Sequence, residues 1–370
     1  MDVTQRTRNT AALVLALLLA VGLLASCDGG GSDNDDPPPP RAAPTATQTP
    51  EPAPPEPPPS VITLGFAGDI HFERHVAQWL ERVDARRPLG PVTELLRAPD
   101  LMMVNLETAI ATGGQPEPKQ YTFRTSPAAL DLLAASGVDV VTMANNHGAD
   151  YGRSGLRETL AAIDGGPLPV VGIGPDIEAA FAPYRAEIAG TSISVFGVSS
   201  RPEHTAKRFA ATETTAGIAV AIEPHRRLLS AVRRADEAGD LVVVYLHWGQ
   251  QHRTCADPRQ QRMARALSRA GADVVVGSHA HVLQGAGWLG STYVAYGLAD
   301  FIWYHNYRPD TGVLTLRVRD GEVVRHRFHP TLIQSSGVPL PRQGQDRVDA
   351  LRAWDALRGC SGLTPFPSTP

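Results

Sequence analysis

The chain has only three cysteines in 370 residues, and none of them sits in a Cys-x-x-Cys pair, so no spacing for a zinc-thiolate site exists. It also lacks an excess of positive charge: 34 Lys and Arg against 38 Asp and Glu give a formal net charge of -4. No global basic field of the kind that drives tight, salt-sensitive nucleic-acid binding follows, and nucleic acid is set aside as a partner. No internal repeat is visible. The charge-free apolar run from Ala11 to Ala25 is shorter than the ~20 residues that a comfortable membrane span needs. What the sequence does have is a 42% hydrophobic content, enough for a substantial core in one large or two small domains.

Arg6 and Arg8 precede the apolar run, which ends in Leu24-Ala25-Ser26-Cys27. A basic segment followed by an apolar one reads as an export signal. The closing tetrapeptide resembles the lipobox of bacterial lipoproteins, in which the cysteine is lipidated and becomes the first mature residue. An ordinary signal peptide, or a plain anchor helix with an incidental cysteine, is the alternative. On the lipoprotein reading residues 1–26 are removed, and a diacylglycerol plus an N-acyl chain on Cys27 give the two lipid signals that stable attachment requires. The protein is then extracytoplasmic and held to the cell membrane. Residues 27–60 form a linker, with prolines at 37–40 and again between Pro50 and Pro59, that stays extended and builds no core. Outside the cytoplasm Cys255 and Cys360 can oxidise, and a disulfide between them is expected, two free buried thiols being the alternative.

From Val61 onward short β-branched runs alternate with segments of helical spacing. Strands are expected at Val61 to Ala67, Leu101 to Val104, Asp139 to Met143, Ile193 to Val198, Leu241 to Leu246, Asp273 to Val276 and Thr292 to Tyr296. Helices are expected at Arg74 to Asp84, Ala128 to Ser136, Gly155 to Asp164, His225 to Ala238 and Arg259 to Ala270. This alternation favours an α/β layered domain over 61–334. Asp320-Gly321 between two apolar runs signals a hairpin, which makes the sheet mixed. Residues 335–370 form a C-terminal extension, with a helix around Asp346 to Leu357.

The polar residues fall at the ends of those strands. Gly68-Asp69-Ile70-His71 follows the first, Asn105-Leu106-Glu107 the second, and Asn145-Asn146-His147 with Asp150 the third. Later strands end in His247-Trp248-Gly249 and in Gly277-Ser278-His279-Ala280-His281. In open α/β sheets ligands bind at the carboxyl ends of strands, where loops converge. A lone histidine is usually structural; five of twelve at one topological position, with carboxylates beside them, point to a cation. A mixed nitrogen and oxygen set without thiolate suits Mn, Fe or Zn better than Ca or Mg.

The ordered motifs Asp69-x-His71, Val104-Asn105-Leu106-Glu107, Ala144-Asn145-Asn146-His147 with Asp150, Leu246-His247-Trp248-Gly249 and His279-x-His281 resemble the CapA branch of the calcineurin-like metallophosphoesterases, over about Ile62 to Trp303. That resemblance implies a four-layer α/β/β/α sandwich with mixed sheets. It also implies one or two divalent transition-metal ions: Asp69, His71 and His281 around one position, Asn146, His247 and His279 around the other, and Glu107 between them. His147 would act beside the reacting group as an acid or oxyanion stabiliser, oriented by Asp150. Asn105 and Asn145 are weaker candidates, counted with Arg124 on the substrate side or as hydrogen-bonding supports of the ligands. Two positions depart from the superfamily pattern: Glu107 stands where aspartate is usual, and Ala299-Asp300-Phe301 stands where Gly-Asn-Phe is expected.

Two functions follow as expectations, with the capsule context of both implied by the resemblance. One is a cell-surface metal-dependent hydrolase of phosphoester or amide bonds in the synthesis, export or release of poly-γ-glutamate or another anionic capsule polymer. The other is a non-catalytic accessory protein that uses the same site to bind polymer for capsule-synthesis proteins of the membrane.

Overall fold

The computed structural model describes residues 60–84, 88–304 and 308–367. The expected signal segment, Cys27 and the proline-rich linker up to residue 59 lie outside the described residues.

Two mixed sheets carry the fold. In the first, Val61–Ile70 runs parallel to Leu101–Leu106, followed outward by Val140–Thr142 and Val170–Val171. On its other flank Val61–Ile70 pairs antiparallel with Asp310–Arg319, which forms the Asp320-Gly321 hairpin with Glu322–Ile333. The second sheet places Leu241–His247 between the parallel strands Thr191–Ser199 and Val274–Ser278. Thr292–Ala295 continues it in parallel, and Ala286–Leu289 and Tyr184–Ile188 close its edges antiparallel.

Burial explains why the sheets stack. Leu64, Phe66, Met103 and Leu314 of the first sheet share one core with Val195, Val243, Val276 and Tyr293 of the second. The other face of the first sheet packs under helices His75–Arg82, Ala128–Ala135 and Gly152–Asp164, through Leu80, Leu130, Leu133 and Leu156. The other face of the second packs under Arg226–Glu237 and Pro258–Ser268, through Leu228, Val232, Met263 and Leu267. These layers are α/β/β/α, the architecture that the motif resemblance implied. Central parallel strands buried on both faces read as unbroken apolar runs, which is why they were legible. Pro258–Ser268 starts where it does because Asp257 accepts from the amides of Arg259 and Gln260 while the Gln260 side chain accepts from the Asp257 amide.

Two hydrogen bonds tie the sheets together near their carboxyl ends, and a disulfide closes a loop beside them. The Tyr245 hydroxyl, on the second sheet, donates to the Ala67 carbonyl of the first at 2.8 Å. The Asp69 amide donates to the Ala299 carbonyl at 2.9 Å. A disulfide joins Cys255, in the loop after Leu241–His247, to Cys360 in the C-terminal segment. Among the described residues no helix is long and apolar enough to cross a membrane.

The close approach of Ala299 depends on Gly68, since a Cβ there would lie 1.9 Å from the Ala299 carbonyl oxygen. Gly68→Ala must therefore push the segment carrying Asp69 away from its neighbour. The expected loss is about 2 kcal/mol or more, read as a lowered urea midpoint at unchanged slope.

Candidate metal centre

The carboxyl ends of strands from both sheets meet at one buried point. Asp69 and Glu107 are fully buried, and His247 and His279 nearly so. Among the described residues three groups bring one donor atom from each member within 4.8 Å of one another: Asp69, Glu107 and His247; Glu107, His279 and His281; and Asp69, His281 and Asp300. Glu107 belongs to two of these groups, and so does Asp69.

Each donor is aimed by a neighbour. Asp69 Oδ1 accepts from Asn105 Nδ2 at 2.7 Å, and Asp69 Oδ2 accepts from the His279 amide at 2.8 Å. Asn145 Nδ2 in turn donates to Asn105 Oδ1 at 3.0 Å and to the Leu106 carbonyl at 2.8 Å. Both asparagines are fully buried, with their side-chain amides engaged in the chain of hydrogen bonds that orients Asp69. His279 and His281 occupy the left-handed backbone region, with φ of 90° and 53°. Such conformations are strained for non-glycine residues, and here they direct two imidazoles to the same point.

On the second side Asn146 Oδ1 lies 2.6 Å from His247 Nε2, His279 Nδ1 lies 2.9 Å from that nitrogen, and Glu107 Oε1 lies 3.3 Å from it. Four lone-pair-bearing atoms thus crowd one place. A single proton cannot satisfy all four, and a cation can. Glu107 has both carboxylate oxygens buried without a hydrogen bond, and His279 Nε2 is in the same condition. Buried polar atoms are nearly always paired, so these residues fit a divalent ion. The donor set is all nitrogen and oxygen.

The electrostatics agree. Burial, then the Glu107 charge, raises the Asp69 pKa to about 7, and burial raises that of Glu107 to about 7. Burial lowers His247 to about 4 and holds His279 well below its ordinary value. Burial also opposes charge on His281, but Asp300, Glu107 and Asp69 together carry it up to about 10. Its Nδ1 stands 2.6 Å from Asp300 Oδ1. Position 300, one of the departures from the superfamily pattern, supplies the carboxylate that orients this histidine. The residue was in view in the sequence, but its contact joins two separate loops.

His147 sits beside the cluster. Its Nδ1 is 2.6 Å from Asp150 Oδ2, and its Nε2 is 3.8 Å from Glu107 Oε1. Asp150 Oδ2 also accepts from the Phe123 amide at 2.7 Å, while Asp150 Oδ1 pairs with Lys119. Lys119 Nζ further donates to the Asn146 carbonyl at 2.6 Å. The Phe123 ring lies nearly parallel between His71 and His147, with centroids 4.5 and 4.1 Å away. Neither Lys119 nor Phe123 was singled out in the sequence, since both lie in an aperiodic loop.

His71 joins none of the three donor groups, but its buried ring lies beside them, against Phe123, which stacks on His147, and against Trp303, which packs on His281. Arg124 is exposed, with its guanidinium 4.8 Å from the Tyr151 ring centroid and a weak bond to the Thr112 carbonyl at 3.4 Å. Trp303 walls the site against His281 at 4.9 Å, whereas Trp248, which follows His247 in its motif, is core and donates to the Tyr296 carbonyl.

Residues 63–305 match the family described as bacterial capsule synthesis protein PGA_cap, well over half of the chain. The chain belongs to this family. It is 29% identical to the PGA biosynthesis protein CapA of Bacillus subtilis, over 72% of this chain and 68% of that protein. It is 25% identical to the capsule biosynthesis protein CapA of Bacillus anthracis, over 76% and 69%. A Mycobacterium tuberculosis protein named a probable polyglutamine synthesis accessory protein is 27% identical, over 73% and 76%. The CapA resemblance read from the five motifs is borne out. Within this metallophosphatase-like family, the described His, Asp and Glu groups could hold a metal.

The pKa values set a sign for ion binding. In the metal-free protein Asp69 and Glu107 are largely protonated below about pH 7, and His281 stays protonated well above it. An incoming cation displaces these protons, so its affinity rises with pH. From pH 6 to 7 the apparent association constant for Mn or Zn should climb about tenfold or more, read by calorimetry in buffers of different ionisation enthalpy. In the metal-free fold the raised values make Asp69 and Glu107 cost stability as pH rises from about 4 to about 7, while the lowered values of His247 and His279 add it up to their ordinary value of 6.5, so the two pairs offset one another over most of that range. Glu107→Gln removes one of these buried charges. Its metal-free melting temperature at pH 8 should equal or exceed the parent's by about 2–4 °C, while the rise on adding metal should shrink.

Proposed function

We propose that this protein is an extracytoplasmic lipoprotein, anchored to the cell membrane through Cys27, whose buried centre holds one or two divalent transition-metal ions (Mn, Fe or Zn). In this reading it hydrolyses a phosphoester or amide bond in the synthesis, export or release of poly-γ-glutamate or another anionic capsule polymer, alongside capsule-synthesis proteins of the membrane. The single observation that carries the metal is the fully buried Glu107 carboxylate, which accepts no hydrogen bond and faces His147 and His247. The polymer comes from the names of the Bacillus relatives.

Asp69, Glu107, His247, His279 and His281 would hold the ions, with the Asn146 amide oxygen and Asp300 as further oxygen donors. Bound there, such ions supply Lewis-acid polarisation of the scissile group and a water ionised near neutral pH. The chain's own residues do the rest. Asp150 holds His147 through Nδ1, which leaves Nε2 on the side of Glu107, placed to hold a proton for the leaving group. Lys119 fixes Asp150 and the Asn146 carbonyl together, so acid and ligand move as one unit. Phe123 stacked on His147 keeps water from that face of the ring.

The second reading, a non-catalytic polymer-binding accessory protein, draws support from the name of the mycobacterial relative. The two separate in one experiment. The purified full chain is analysed for metal, then assayed on a phosphodiester, a phosphomonoester and poly-γ-glutamate. The hydrolase reading expects bound metal at about one or two ions per chain and turnover abolished by His281→Ala. It also expects His147→Ala to lower kcat by about a hundredfold or more with metal content unchanged. Stoichiometric metal with polymer binding and no turnover on any of the three would establish the accessory role instead.

A further inference from the structure

Charge is spread unevenly over a chain whose formal net charge is -4. In the hairpin of the first sheet Arg317 stands opposite Arg325, and Thr315 stands opposite Arg327. Side chains alternate between faces along a strand, so these three arginines share the face opposite to Leu314, Leu316 and Phe328, which are buried between the sheets. Like charges directly opposite one another cost stability. Among the described residues the side chains of Arg317, Arg325, Arg327 and Arg347 make no hydrogen bond or ion pair, whereas Arg352 pairs with Asp349 at 3.3 Å. Stability of the fold gives no reason for this arrangement.

On its other side Glu322–Ile333 pairs with Pro339–Pro341 only through Thr331, Leu332 and Ile333. Beyond those positions the helix Gly344–Ala356 lies alongside, with Trp354 stacked on Phe328 at 4.5 Å. Between strand and helix runs an open groove lined by Arg325, Arg327, Arg347 and Arg352, with Trp354 and Asp355 also on its walls. Asp355 is already paired with Arg358. Burial, then Arg327 and Arg347, holds the His329 imidazole below its ordinary pKa, as two guanidinium groups near one point require. Arg317 lies in register with Thr63, and the stretch of strand from Thr63 to Asp69 spans about 20 Å. The groove is therefore distinct from the metal centre.

We infer that this arginine-walled groove is a docking site for an extended polycarboxylate chain, holding the capsule polymer away from the metal centre. The inference rests on the polymer named in the proposed function. Guanidinium forks match carboxylates two bonds at a time. Arg325 and Arg327, two residues apart on one face, repeat the cation about every 7 Å along the strand, which suits a chain with regularly spaced acids. A lipid surface is less well served, because the groove is concave and its large aromatic residues, Phe328 and Trp354, are only 2% and 5% exposed.

The test uses the full chain carrying Cys27→Ser, which cannot be acylated, in EDTA so that no metal contributes. Poly-γ-glutamate is titrated into it by calorimetry. The charge-reversed R325E/R327E variant should bind at least about tenfold more weakly than its parent. R325K/R327K should recover most of the affinity, R233E, at an exposed arginine of the helix Arg226–Glu237, should bind as the parent does, and the melting temperature of R325E/R327E should be unchanged or higher. Equal binding by R325E/R327E and the parent, or no binding by the parent, overturns the docking site. Arginine-dependent binding to phosphatidylglycerol vesicles without polymer binding overturns it too. With metal chelated throughout, a negative result leaves the hydrolytic reading standing, and absence of turnover in the earlier assay leaves the groove standing.

Discussion

Two carboxylates, Asp69 and Glu107, are taken out of water where the ends of two sheets meet, and the rest of the centre answers to that burial. The effective cost of desolvating an ionised carboxylate is several kcal/mol even after relaxation. The protein does not offset it with a lysine or an arginine. It surrounds the pair with imidazoles, two of which burial keeps neutral, and with amide groups whose donors face Asp69 and whose acceptors face inward. A site arranged in this way is poorly satisfied by protons and well satisfied by a multivalent cation.

The supports around the cluster follow from the same demand. Asn145 holds Asn105, and Asn105 holds Asp69; Asp300 holds His281; Asp150 holds His147 and is itself held by Lys119. Each candidate donor or neighbouring acid therefore has its orientation set by the protein's own hydrogen bonds. The Tyr245 to Ala67 bond and the tight contact at Gly68 keep the two sheets in the register that lets strands distant in sequence share one point. The disulfide ties the loop following His247 to the C-terminal segment.

The central strands and the principal helices were legible because each is long enough for its period to show, and because parallel strands buried on both faces are continuous apolar runs. Short and edge elements were not. Tyr184–Ile188 is only half buried and turns into Thr191–Ser199 through Ala189-Gly190, which lacks the Asn-Gly or Asp-Gly signal. Ile177–Phe181 and His204–Phe209 are too short for a helical period to register. Lys119 and Phe123 reach the centre from a loop whose path only packing determines.

By itself the sequence determined which residues stand at the carboxyl ends of which strands, because hydrophobic period and turn chemistry are local properties. From that came the layered α/β class and the identity of most residues around the centre. Only the tertiary structure decided which of them share a space: Asp300 reaches His281, His71 packs into aromatic rings, and Arg124 lies over Tyr151. It alone also placed Arg317 opposite Arg325, although each is unremarkable in its own segment. The physical reason is the same in each case. Electrostatic contact depends on distance through space, and strand register and loop closure set that distance between residues far apart along the chain.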